Sequence, residues 1–212
     1  MRKTFDAELL ELNEELTGMA RTAQDAIDVV TQSLSRGDEP AAKAAIDMTA
    51  SMAQMERDIE NRCLQLLLRQ QPVARDLRAI SAAMKMVTDL QRIGDQAANI
   101  AELSLLLSRQ GTVQVPGHIG VMSCKAGLMV RQAIAAYTGR DVETAHAVVN
   151  LDDEVDDLFQ QVKGELIDQV AANRDEADRS IDFIIIAKYL ERIADHAVNI
   201  AQWAIFCVTG EL

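Results

Sequence analysis

The sequence predicts an all-α fold: two tandem antiparallel three-helix bundles related by internal duplication. Three observations lead there. Aromatic residues make up only 3% of a 212-residue chain that is 49% hydrophobic, and proline occurs three times. Alanine, leucine, isoleucine and methionine carry the apolar mass instead, and most such side chains lose little on entering a helix. Apolar positions recur at helical spacing through long stretches. Finally, DLQRIGDQAANIAE at 89–102 returns as YLERIADHAVNIAQ at 189–202 with eight of fourteen positions identical, and a repeat of that period marks a duplicated unit.

The elements follow from the chain's few breaks. A first helix runs from Phe5 to Ser35 and ends at RGDEP (36–40), a turn that places Pro40 at the opening of the next helix. The second runs from Ala41 to Arg69 and is stopped by QQP (70–72), because the residue before a proline is driven out of the α region. The third spans Val73 to Arg109. GTVQVPGHIG (111–120) is the one real linker and divides the chain into repeats at 1–110 and 111–212. The fourth helix runs from Gly117 to Tyr137, and TGRD (138–141) is a turn closing on Asp141 as an N-cap. The fifth covers Val142 to Ala171, AANRDEAD (171–178) is a polar break, and the sixth covers Glu176 to Val208. Gly94, Gly127 and Gly164 fall inside helices and weaken them locally without ending them.

The repeat is wider than the fourteen residues that reveal it. SRGDEPAA (35–42) aligns with TGRDVETA (138–145), and MTASMAQMERDI (48–59) lies over LDDEVDDLFQQV (151–162). Met52 then matches Val155, Met55 matches Leu158 and Ile59 matches Val162.

Charge and composition exclude several function classes. A formal net charge of −12 repels phosphate backbones and anionic membrane surfaces, which argues against nucleic-acid binding and favours cations or a basic partner. The most apolar run, IDFIIIAKYL, is interrupted by Asp182 and Lys188, too soon for membrane insertion. The N-terminal MRKTFDAELLEL is amphipathic and does not read as a signal peptide. Cys63, Cys124 and Cys207 form no CxxC pair and read as buried free thiols in a reducing, cytoplasmic setting.

Two polar columns carry the chemistry. Glu191, Asp195 and Asn199 recur at four-residue spacing, with Leu190, Ile193, Ala197 and Ile200 on the opposite side, so the column faces outward. The preceding helix adds Asp152 and Asp156 while Val155, Leu158 and Val162 face inward. Two such carboxylate columns side by side repel unless cations bridge them. Hard oxygen donors suit iron, manganese, magnesium or calcium better than structural zinc. The same spacing also describes solvated faces of an acidic bundle, and on spacing alone that plainer reading comes first. A buried di-iron centre needs Glu-x-x-His, which is absent; His196 lies off the column as an exposed or flanking residue, and His118 and His146 lie near loops. No nucleophile elbow, P-loop, dinucleotide fingerprint or HExxH is present, so an enzyme is not expected.

Arg92 and Arg192 stand beside the columns at equivalent positions, while Arg69, Arg75 and Arg78 flank QQPVARDLR. They either offset neighbouring acids or form a basic spot for a partner or an anion. Met48, Met52, Met55, Met84 and Met86 are read as fillers of core gaps.

LLLRQQPVARDLRAI (66–80), with DLQRIGD-x-AxNIA and later YLERIADHAVNIA, resembles the PhoU family of phosphate-specific transport regulators along essentially the whole chain. The resemblance implies a PhoU-like two-bundle fold and a cytoplasmic, non-enzymatic regulator of phosphate homeostasis. It further implies a negative regulator of the phosphate-starvation regulon that contacts the sensor histidine kinase and the ATPase of the phosphate ABC transporter, as a homodimer. It also implies a metal, iron or another divalent ion such as manganese, zinc or magnesium, on the face of Asp152, Asp156, Glu191, Asp195 and Asn199. The corresponding first-bundle set is Asp89, Asp95 and Asn99. There Thr49 and Gln91 stand where the family often has acids, and Asp89 and Asp95 are six apart, so that site is expected to be weak or missing. The alternative is a metal-storage or metal-sensing bundle without a phosphate role, or a helical adaptor whose acids only solubilise it.

Overall fold

The breaks in the sequence become helix ends, and at two of them an aspartate, Asp38 or Asp141, caps the helix that follows. The computed structural model describes residues 2–70, 72–110 and 114–211, the side chains of 2–4, 69 and 70 excepted. Part of the expected linker, 111–113, and the Arg69 side chain therefore lie outside the described residues. Helix α1 (Arg2–Arg36) closes on Gly37, whose φ of 65° is in the left-handed region. Asp38 then caps α2 (Glu39–Gln70) by accepting the Ala41 amide at 3.1 Å. Helix α3 (Ala74–Ser108) starts just behind Pro72. Helix α4 (Gly117–Gly139) ends on Arg140, and Asp141 caps α5 (Val142–Ala172) by accepting from the Thr144 amide at 3.0 Å and its hydroxyl at 2.6 Å. A single 3₁₀ turn (Arg174–Glu176) leads into α6 (Ala177–Thr209). The expected helices match these to within three residues at each end, the usual uncertainty of helix termini.

Helices α1–α3 form one bundle and α4–α6 the other. The bundles meet along α3 against α6 and α1 against α4, each helix on its counterpart in the other repeat, while among the described residues α2 and α5 pack only within their own bundles. One continuous apolar core runs through both halves. Across the seam the Tyr137 hydroxyl reaches the Ala79 carbonyl at 3.5 Å, Thr31 meets Ser123, and Arg179 donates to the Gln110 carbonyl at 2.8 Å. No helix among the described residues is long and apolar enough to cross a membrane.

The duplication holds at the level of burial. Residues 90–104 and 190–204 carry the same degree of burial at every position. Volume is redistributed inside that shared pattern. A Cβ on Gly94 would stand 2.6 Å from Met52 Sδ, so with Met52 as it lies a side chain at 94 would force the methionine to move; the second repeat has Val155 and Ala194 in their places. The methionines expected in core gaps sit there, Met52 and Met86 fully buried and Met48, Met55 and Met84 packed against the core. Of the three thiols expected to be buried, only Cys63 is; Cys207 is half-buried and Cys124 is exposed. Cys124 falls one turn beyond the exposed Val121, on the outward strip of α4.

Candidate functional site

The four carboxylates of the second bundle come together where α5 packs on α6. Apolar i, i+3, i+4 positions on each helix fix the rotation: burying Val155, Leu158 and Val162 against Leu190, Ile193 and Ala197 leaves Asp152, Asp156, Glu191 and Asp195 along the groove between the helices. Asp152 is held part-buried there. Burial first, then the charges of Asp195, Asp156, Asp153 and Glu191, push its carboxyl from 3.8 up to about 6. Asp156 is also raised, by burial and by Glu191, with Lys188 opposing. Lys188 pairs with Glu191 and lies 5.5 Å from the Phe159 ring centroid. Asp152 Oδ1 is buried without a hydrogen-bond partner among the described residues.

The groove thus holds a surplus of negative charge with one lysine as its neighbouring counter-ion. Its donors are all carboxylate oxygens, the chemistry of a hard divalent cation, and the orphaned Asp152 oxygen is the kind of atom such a cation satisfies. As the side chains stand, no group of three or more His, Cys, Asp or Glu among the described residues is placed to hold a metal ion; Glu191 is engaged by Lys188 instead. Asp153 and Lys188 belong to this environment although the sequence columns did not include them. Lys188 was detectable as the residue one turn before Glu191.

Asn199 and the first-bundle trio are placed differently from expectation. Asn199 donates from Nδ2 to Asp89 Oδ1 at 3.2 Å, and His196 Nδ1 meets the same oxygen at 2.9 Å. Asp89 is buried at the seam of α3 and α6, so it is not a first-bundle surface ligand. The cause is rotation: six residues before Asp95 is two-thirds of a turn away, on the face that α6 covers. His196, expected to be exposed or flanking, is part-buried as Asp89's partner. Asp95 is exposed and accepts from Gln91 at 3.0 Å, while Asn99 is half-buried. The structure does not bring Asp89, Asp95 and Asn99 together.

What remains of a first-bundle acidic face is Asp95 with Glu56. Burial, followed by Glu60 and Asp95, raises the Glu56 carboxyl, against the opposing effect of Arg57 and Arg92. The positions matching Asp152, Asp156 and Glu191 hold Thr49, Ala53 and Gln91. Thr49 is buried with its hydroxyl turned back to the Ile46 carbonyl at 2.9 Å. The acidic groove is therefore one-sided.

Comparison with known proteins agrees with this duplicated architecture. The PhoU domain profile matches the chain twice, at 16–104 and 119–204. A phosphate-specific transport system accessory protein PhoU homolog from Clostridium acetobutylicum is 33% identical over 211 residues, covering 99% of this chain and 96% of its own. One from Aquifex aeolicus is 36% identical over 205 residues, covering 97% and 93%. The crystal structure of PhoU from Pseudomonas aeruginosa superposes with a TM-score of 0.91 at 30% identity, covering 98% of this chain and all of that one. The phosphate transport system regulatory protein PhoU from Streptococcus pneumoniae gives 0.88 at 25% identity. With both repeats matched and relatives aligned from end to end, the chain belongs to the PhoU family.

Proposed function

We propose that the protein is a regulator of phosphate uptake that acts by protein contact rather than catalysis. It works on the cytoplasmic side as an accessory to the phosphate transporter, and it holds the phosphate-starvation response off when phosphate is plentiful. Its partners are the transporter's ATPase subunit and the sensor histidine kinase. Relatives that align over nearly the whole chain carry the name of phosphate-specific transport accessory proteins, which supports the coarse role.

The geometric observation that supports a metal on the second bundle is the one-sided groove of Asp152, Asp156, Glu191 and Asp195, in which Asp152 Oδ1 has no hydrogen-bond partner among the described residues. A divalent cation held by these four residues would cancel their repulsion and lock α5 onto α6; iron, manganese, zinc and magnesium are the ions to compare. Such a cation would supply charge neutralisation and rigidity, not chemistry on a substrate. The chain's own contribution is to hold the carboxylates on two packed helices whose apolar faces fix their spacing.

The test pairs a deletion strain with affinity capture. Loss of the protein should release a phosphate-starvation reporter in phosphate-rich medium, and immobilised protein should retain the ATPase subunit and the kinase. A reporter that stays repressed in the deletion strain, with neither partner captured, would remove this reading.

A further inference from the structure

A second feature, away from the acidic groove, lies on the seam between the bundles where α1 and α3 begin and α4 ends. A cavity of about 60 Å³ is lined there, besides Ala79 and Cys207, by Leu9 and Asn13 of α1, Arg75 of α3, Tyr137 and Thr138 of α4, and Arg140 of the following turn, the two arginines being exposed and at its rim. It shares Arg75 and Arg140 with a wider recess of about 330 Å³. One water needs roughly 10–15 Å³ on this measure, so the inner cavity has room for one small polyatomic ion. Asp6 and Asp76 line the outer recess but not the inner cavity. The inner lining therefore carries two guanidinium groups and no carboxylate, in a chain of net charge −12. Neither Arg75 nor Arg140 makes an ion pair among the described residues. The Asn13 side-chain amide makes no hydrogen bond among them either, whereas Tyr137 and Thr138 spend their hydroxyl protons on the Ala79 and Ile134 carbonyls.

The backbone gives an independent sign that Arg140 is placed for a purpose. It ends α4 with φ 53° and ψ 39°, and no other non-glycine described residue has positive φ. The matching position in the first repeat is Gly37, at φ 65°. In the second repeat glycine stands one residue earlier, at Gly139, and arginine takes the left-handed position. A turn that favours glycine thus carries a long cationic side chain next to an available glycine, and such departures gather at functional sites.

We propose that this seam cavity binds a small tetrahedral oxyanion, free inorganic phosphate in particular, between Arg75 and Arg140 with the Asn13 amide as a third donor. Guanidinium groups give paired, charge-assisted hydrogen bonds to such an ion. Because α1, α3 and the α4–α5 turn all contribute, an ion there ties the two bundles together. The site's geometry rests on neither the metal groove nor the partner contacts, while the choice of phosphate among oxyanions rests on the proposed role in phosphate uptake; the titration below tests the first and the reporter strain the second, so the two can fail separately.

Calorimetric titration of the full chain with inorganic phosphate tests it, in chelator and at constant ionic strength balanced with chloride. The expected result is saturable one-site binding that sulfate competes for and acetate does not. Arg75→Gln and Arg140→Gly should each weaken binding by about tenfold or more, as loss of a charge-assisted pair implies. Arg140→Gly keeps the left-handed turn, so it should melt no lower than the parent and weaker binding cannot be ascribed to misfolding. Heats indistinguishable from chloride, or both variants binding like the parent, would overturn the proposal. So would displacement of nothing by free phosphate where a phosphorylated peptide binds the same arginines.

Discussion

Replacing Asp152 by asparagine is expected to stabilise the metal-free protein at neutral pH. In the folded chain the carboxyl is raised from 3.8 to about 6, by burial and then by Asp195, Asp156, Asp153 and Glu191. The native state therefore binds this proton more tightly than the unfolded chain does. Its contribution to stability is fully present below 3.8 and is lost as pH rises through about 6. That gap corresponds to about 3 kcal/mol at about 1.4 kcal/mol per pH unit, and solvent screening at a part-buried carboxylate reduces it to about 1 to 2 kcal/mol. Asparagine keeps the shape and removes the charge. For a chain of this size about 1 to 2 kcal/mol moves the melting temperature by roughly 2–8 °C. The assay is thermal unfolding of parent and Asp152→Asn in chelator across the acid-to-neutral range, repeated with excess Mn²⁺. The variant should melt higher near neutrality, the gap should close towards about pH 4, and added Mn²⁺ should raise the parent more than the variant. A variant that melts lower than the parent at neutral pH in chelator, or a gap that does not shrink on acidification, would refute the account of the groove as uncompensated repulsion.

Three further predictions concern packing and access. Gly94→Ala gains about 1 kcal/mol of helix propensity but drives its methyl against Met52 Sδ at a cost of about 1–3 kcal/mol, for a net loss. Gly94→Ala with Met52→Val copies the second repeat, so denaturant melts should give a coupling of about 1 kcal/mol or more, and additivity within about 0.5 kcal/mol would contradict the exchange of volume. Asp89→Ala removes the shared acceptor of His196 and Asn199 across the seam and should cost about 1–3 kcal/mol; an unchanged denaturation midpoint would show that the contact is idle. A water-soluble maleimide should label Cys124 quickly in the native protein and Cys63 only after unfolding, because burial pushes the Cys63 thiol up to about 12. Rapid native labelling of Cys63, read by peptide mass, would count against its burial.

The helices and the duplication were legible because their signals are local. Gly37, Pro72 and Asp141 mark ends, and a single helix fixes which of its own residues point inward. The Asp152, Asp156, Glu191, Asp195 groove was legible for the same reason: each pair shares a face of one helix, and the two helices are neighbours in sequence. The Asp89 contact was not, since it depends on how α3 crosses α6, between residues 107 and 110 positions apart. No periodicity within either helix encodes that crossing. The exposure of Cys124 is not legible, because α4 is apolar enough to look buried all round, yet a narrow strip of it faces out. In the sequence Arg140 is only part of a turn, since the φ that singles it out is a property of the folded chain.

The way the bundles meet has a consequence for what fusion into one chain permits. Since α3 lies on α6 and α1 on α4, the seam has the form of an isologous two-fold interface, the kind two identical half-chains would make. In such a dimer each substitution appears twice, and any residue must suit both its place and its mirror place. One covalent chain is free of that rule. Asp89 faces His196 and Asn199, while the mirror positions hold Tyr189, Gln96 and Asn99. Gly37 turns where Arg140 turns, and Gln91 stands where Glu191 does. Broken symmetry is thus what lets one half specialise in charge while the other keeps the scaffold.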